Sequence, residues 1–224
     1  MRALKASEAI AIIPARGGSK GIIDKNIINL SGKPLIYYIL EACKRSKNIF
    51  ATVVTTDSEL IAKVVLKEYP NTIIIKRPED LSSDDSVSED ALIHAIKILE
   101  KKYSNLEKII FAQVTSPLTT SDNLSELVYM LDDFDSCAFY TEDYGFFFNV
   151  DNMNSPRLPR QQWRPRKREA GNAGGFRKSG FLNSKSRFFG NTGLCKLDHP
   201  NELEIDDISD LTILESYIKF KLPK

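Results

Sequence analysis

Histidine is nearly missing from this chain, with only His94 and His199 among 224 residues. Cysteine is scarce as well: Cys43, Cys137 and Cys195 are widely spaced and form no C-x-x-C pair. That poverty removes the usual zinc ligand sets and leaves little support for a cysteine nucleophile paired with histidine. An odd number of dispersed thiols fits a reducing compartment, so a cytoplasmic location is expected. No apolar run approaches the length of a membrane span, and the first residues lack the apolar core of a secretory signal. Basic and acidic residues number 31 and 30, a formal charge of +1, which argues against a general nucleic-acid binder. Two familiar nucleotide loops are missing too. Gly17-Gly18-Ser19-Lys20-Gly21 lacks the G-x-G-x-x-G spacing, and Lys20 precedes Gly21 where a P-loop lysine would follow it.

What the chain does have is a basic glycine loop behind a buried strand. Ile10 to Ile13 reads as a short strand bounded by Pro14, and Ala15 to Gly21 follows with Arg16 and Lys20, then Lys25 and Asn26. Glycines allow close backbone approach to a ligand, and interleaved cations suit a triphosphate. The bland alternative is a solvated turn with incidental charge. Three cations converging after a strand favour an anion site.

Strand and helix signals then alternate, the pattern of a parallel sheet covered by helices. Pro34 is expected to open a helix through Leu35, Ile36, Ile39, Leu40 and Cys43. Strands are expected over 50–56, 72–75, 108–114 and 136–141, with helices over 58–67, 86–103 and 123–131. In an open sheet of this kind ligands bind beyond the strand C-termini. The glycine loop, the Arg77 loop and the Gln113 loop all fall there, which predicts one shared site. From Glu142 to Gly190 the alternation breaks down, and a small lobe or arm is expected over 142–190 within a single domain of residues 1–224. Its Phe146-Phe147-Phe148 run reads as interface core, and its Arg157 to Arg168 run as an anion pocket or subunit contact rather than a nucleic-acid patch. A final helix follows with Leu211, Leu214 and Ile218.

Five stretches in order carry a resemblance. They are Pro14-Ala15-Arg16-Gly17-Gly18-Ser19-Lys20-Gly21 with Lys25-Asn26, then Thr55-Thr56-Asp57, Arg77 to Asp84, Gln113 to Leu118, and Glu204-Ile205-Asp206. Together they resemble the acylneuraminate cytidylyltransferases, which activate sialic acid and related keto acids. The resemblance implies a three-layer, Rossmann-like α/β fold of the nucleotide-diphospho-sugar transferase type, with a mainly parallel sheet and a small dimerisation or lid lobe. It implies attack by the anomeric hydroxyl of an acid sugar on the α-phosphate of CTP, and an expected homodimer. Arg16, Lys20 and Lys25 take catalytic roles. Ala15, Gly17, Gly18, Ser19, Asn26, Arg77 and Asp84 take nucleotide-binding roles. Gln113 and Asn172 take the sugar, and Arg160 or Arg168 is expected to clamp its carboxylate bidentately.

Glu204 and Asp206, if they alternate in a strand, point to one face and suit Mg²⁺, or Mn²⁺ in its place. The competing reading has this acidic stretch cap the following helix, through Asp207 or Ser209. Departures gather in the sugar half. Thr119 stands where the family has arginine, Glu204 where it has aspartate, and Gly171 to Phe176 stretches an Asn-Gly-Ala motif. The alternatives are the same chemistry on an octulosonate or phosphonate, and a non-catalytic nucleotide-binding homologue.

Overall fold

A computed structural model describes residues 2–18, 21–82, 86–145 and 158–221. Ser19, Lys20, Asp84, Phe146 to Phe148 and Arg157, singled out above, lie outside the described residues. Seven strands form the central sheet: β1 (Ala9–Pro14), β2 (Ile49–Thr56), β3 (Ile73–Lys76), β4 (Lys108–Ala112), β5 (Ser136–Asp143), β6 (Arg166–Arg177) and β7 (Thr192–Lys196). Their spatial order is β7-β5-β6-β4-β1-β2-β3. Neighbours run parallel except at β6, which is antiparallel to both β4 and β5.

Among the described residues six α-helices cover the sheet: α1 (Ile36–Arg45), α2 (Glu59–Glu68), α3 (Ser88–Leu99), α4 (Ser121–Met130), α5 (Lys178–Ser184) and α6 (Ile208–Lys221). The two-residue period of β1 divides the core. Ala9, Ala11 and Ile13 pack with residues of α1, α2, α4 and α6, while Ile10 and Ile12 pack with α3 and α5. A strand buried on both faces reads as a continuous apolar run, as 9–13 does. The three-layer α/β architecture and mostly parallel sheet are those expected. No helix among the described residues is long and apolar enough to cross a membrane.

Local chemistry moves several boundaries. Ser58 caps α2, its hydroxyl accepting from the Ile61 amide at 3.3 Å. Thr120 and Asn123 form a capping box that starts α4 before Asn123. The first helix begins at Ile36 rather than Pro34. Lys33-Pro34 pairs antiparallel with Asn29-Leu30 across Ser31 and Gly32, whose φ angles of 50° and 88° suit a tight two-residue hairpin.

The expected lobe over 142–190 needs correction. Its later half lies inside the sheet: β6 occupies 166–177 between β5 and β4, and α5 follows directly. The alternation fails there because an antiparallel strand is inserted with a register shift between Ala170 and Gly174, which blurs the two-residue pattern. Strand β7 was not expected either.

Candidate active site

At the C-terminal ends of β1, β3 and β4 lies a cavity of about 430 Å³, lined by Arg16, Lys25, Asn26, Arg77, Phe111 and Gln113 among others. The three loops predicted to share a crevice do share it. Arg16, Arg77 and Gln113 each follow a strand that ends at the same edge, as the parallel topology requires.

Asp57 organises the glycine loop. Its carboxylate accepts the Gly17 amide at 2.8 Å, and the Ala15 amide bonds the Thr55 carbonyl at 3.0 Å. Both amides are therefore engaged by β2 and its end. Gly18 turns the chain at φ +65°, where a side chain would be strained. Asn26 donates to the Arg16 carbonyl at 2.8 Å, so it shapes the loop as well as lining the cavity. Arg77 is buried and donates from Nη2 to the Thr55 carbonyl at 2.8 Å. Burial lowers its pKa, with Arg16 pressing the same way and Asp57 opposing. Arg77 and Arg16 are thus close enough to repel, with Asp57 as counter-charge, an arrangement that attracts further anions.

The acidic segment is placed by Ile205. Its fully buried side chain packs in the core, its amide donates to the Thr115 carbonyl at 2.8 Å, and its carbonyl accepts from Lys25 Nζ at 3.1 Å. Residues 203–205 form no strand, which corrects the expected alternation in one. The buried isoleucine serves the same end by leaving Glu204 and Asp206 both facing one cavity. Helix capping is real too, and Asp207 carries it, as the competing reading has it. Asp207 accepts from the Ser209 amide at 2.7 Å, and Asp210 accepts from the amides of Asp206 and Asp207.

Lys25 Nζ also pairs with Asp206 at 3.3 Å. Glu204 Oε1 is buried with no hydrogen-bond partner among the described residues. Burial raises the Glu204 pKa, and nearby Asp206 adds to the rise while Arg168 opposes it. A half-buried carboxylate with one unpartnered oxygen beside a second carboxylate fits an oxygen-seeking divalent cation. Among the described residues no group of three or more His, Cys, Asp or Glu is placed to hold a metal. Two carboxylates with remaining positions left to phosphate and water match the habit of Mg²⁺ rather than an all-protein cage.

A second cavity of about 440 Å³ adjoins the first through Gln113, which lines both. Glu204, Asp206, Arg168 and Arg187 line it as well. Gln113 Nε2 donates to the Gly171 carbonyl, fixing the side chain at the junction. Arg168 joins this cavity; Arg160 does not, standing exposed in the 160–162 turn and lining neither cavity. Asn172 is a second correction to the sugar set. It is fully buried and donates to the Asn201 carbonyl at 2.8 Å and to Thr119 Oγ1 at 3.4 Å. Thr119, in place of an arginine, is thus a buried acceptor for Asn172.

A carboxyl whose pKa is higher folded than unfolded binds its proton more tightly in the native state. The stability it supplies is fully present below the ordinary value of 4.5 and is lost as pH rises through the raised value. Glu204→Gln should therefore flatten the decline in melting temperature above pH 4.5 in metal-free buffer. Parallel curves for the two proteins would contradict this.

Gly171 carries a second prediction. A Cβ there would press on Glu204 Oε1 and Gln113 Nε2, both far ends of flexible side chains. Gly171→Ala should cost little stability, since both can swing aside, yet lower activity by at least about tenfold through misplacement of both groups. Matched losses in melting temperature and turnover would refute the split.

Asp57 and Arg187 escaped the sequence reading as site residues. Asp57 stood in a recognised stretch but had no assigned role, and Arg187 meets its partner Glu89 across 98 residues, beyond any periodicity.

The sequence model of the cytidylyltransferase family matches residues 10–158. The chain is 30% identical over 235 residues to an N-acylneuraminate cytidylyltransferase of Escherichia coli O18:K1:H7, covering 92% of this chain and 51% of that one. It is 38% identical over 117 residues to a pseudaminic acid cytidylyltransferase of Campylobacter jejuni, covering 52% and 50%. A post-translational flagellin modification protein B of Campylobacter coli is 28% identical, with 96% and 97% covered. The chain thus spans about half the length of the first two relatives. In fold it is similar to CMP:2-keto-3-deoxy-manno-octonic acid synthetase complexed with CTP, at a TM-score of 0.72 and 16% identity, covering 96% and 100%.

Proposed function

From the premise that the chain belongs to the cytidylyltransferase family, we propose that it joins CTP to an acidic keto sugar of the sialic-acid type, giving the CMP-sugar and pyrophosphate. The observation that carries this reading is the pair of cavities joined at Gln113, one cationic and one bounded by Glu204 and Asp206. A transfer between two substrates needs both held together, with the reacting atoms at the junction.

In this reading the first cavity takes CTP. Arg16, Lys25 and Arg77 balance the triphosphate charge, and that charge grows on the leaving pyrophosphate as the α-phosphorus is attacked. The anomeric oxygen of the acid sugar forms the new P–O bond, the bond from the α-phosphorus to the bridging oxygen breaks, and the hydroxyl proton passes to water. Asp57 and Asn26 keep the glycine loop in shape, and Gln113 orients the acceptor at the junction. Glu204 and Asp206 would hold Mg²⁺, which supplies charge neutralisation at the phosphates when bound. The reading includes a cytoplasmic homodimer; the three free cysteines support the compartment.

The relatives bearing N-acylneuraminate and pseudaminic acid names support a nonulosonate acceptor. Pyrophosphate release from CTP and Mg²⁺ should occur with one member of a panel of nine-carbon keto acids, and not with other nucleoside triphosphates. Release only with an octulosonate or a phosphonate would move the acceptor class. CTP binding with no release across the panel would make the chain a non-catalytic homologue.

A further inference from the structure

We infer that Arg187 is the residue that recognises the carboxylate of the acid sugar in the second cavity. The inference rests on the cytidylyltransferase reading and deepens it. Among the described residues four carboxylates line that cavity, those of Glu169, Glu202, Glu204 and Asp206, against two cations, Arg168 and Arg187. An anionic ligand entering such a space is repelled unless its carboxylate meets one of the two.

The two arginines differ in how firmly they are held. Arg168 is exposed on β6. Arg187 is half-buried, its Nε bonded to Glu89 Oε1 at 2.8 Å and its guanidinium lying over the Phe111 ring at 4.8 Å. Among the described residues its hydrogen bonding runs through Nε alone, so the two terminal nitrogens form a fork that fits a carboxylate side-on. A planar guanidinium fixed by an ion pair and an aromatic face loses little freedom on binding.

The loop carrying Arg187 is fixed as well. Ser136 Oγ donates to the Phe189 carbonyl at 2.9 Å and accepts the Phe189 amide at 3.2 Å, while the Asn191 amide donates to Asp135 at 2.8 Å. The Phe189 ring packs so closely over Gly180 that no side chain fits beneath it. Gly190 closes the loop at φ +59°, hard against Asp135.

Glu89 and Phe111 act as positioning residues, and both connect to the nucleotide side. Phe111 lines the first cavity, and Glu89 follows the Ser86-Val87-Ser88 stretch that lines it too. The guanidinium is thereby placed with reference to the CTP pocket, and this fixes which end of the acid sugar faces the α-phosphate.

The test compares the acid sugar with its methyl ester in pyrophosphate release, for wild type, Arg187→Met and Arg187→Lys. The wild type should favour the acid. Arg187→Met should lower the acid-to-ester ratio of kcat/KM by about 10- to 100-fold, the scale of a hydrogen-bonded charge pair. The loss should appear in KM for the acid, with KM for CTP little changed. Arg187→Lys, which keeps the charge but not the fork, should fall between. An unchanged ratio in both variants, whatever their absolute rates, would reduce Arg187 to a structural strap and overturn the inference. A wild type that binds CTP yet releases no pyrophosphate with any acceptor would instead sink the cytidylyltransferase reading, and this inference with it.

Discussion

Lys25→Ala is expected to lower kcat/KM for pyrophosphate release by about 10²- to 10³-fold, the scale for removing one preorganised charge-stabilising donor. Its ammonium lies between the two cavities' walls, bonded to the Ile205 carbonyl at 3.1 Å and paired with Asp206 at 3.3 Å. The Lys25 side chain is 19% exposed and that of Asp206 78%. A pair so open on one side contributes at most about 1 kcal/mol to stability. Activity should therefore collapse while the melting temperature barely moves. Lys25→Arg, which keeps the charge at a different reach, should recover part of the loss. Turnover of the alanine variant within a few-fold of wild type would remove Lys25 from the transfer.

Asp57→Ala is expected to act on stability and activity together. The Gly17 amide loses its acceptor, and Arg16 and Arg77 lose the negative charge that offsets their mutual repulsion. Loss of a hydrogen bond to a charged group, with a part-buried amide left unsatisfied, costs about 1–3 kcal/mol. Loosening the loop proposed to hold the triphosphate should cost on the order of 100-fold in kcat/KM, seen mainly as a higher KM for CTP. Asp57→Asn retains an oxygen for Gly17 but not the charge, so it separates the two effects. If it behaves as wild type in KM for CTP, the carboxylate matters only as a hydrogen-bond acceptor. Denaturant unfolding and initial rates on the three proteins give the answer.

Local signals carried far. The apolar run 9–13, the helix start at Ser58 and Arg16 of the glycine loop are properties of neighbours in sequence, and the structure places them as strand, helix cap and cavity wall. The antiparallel β6 was not legible, because its irregular register with β5 interrupts any two-residue pattern. Nor was the hairpin at Ser31-Gly32, whose serine at positive φ is atypical.

By itself the sequence determined the layered α/β class and the strand-end location of the cavity, which follow from periodicity and parallel topology, and the cationic nature of its first half, which follows from the residue types in the loops. Which charges face the cavity was decided only by tertiary packing. Lys108, at the start of β4, is buried and spent on Asp132 and the Val128 carbonyl, whereas Lys25 lines the site. Asn172 is turned inward to Asn201 and Thr119, while Arg187 is carried from a distant loop onto Glu89 and Phe111. Residue type fixes what a side chain can bond. Only the folded chain, by bringing partners together across scores of residues, fixes which bond it makes and which groups are left for a ligand.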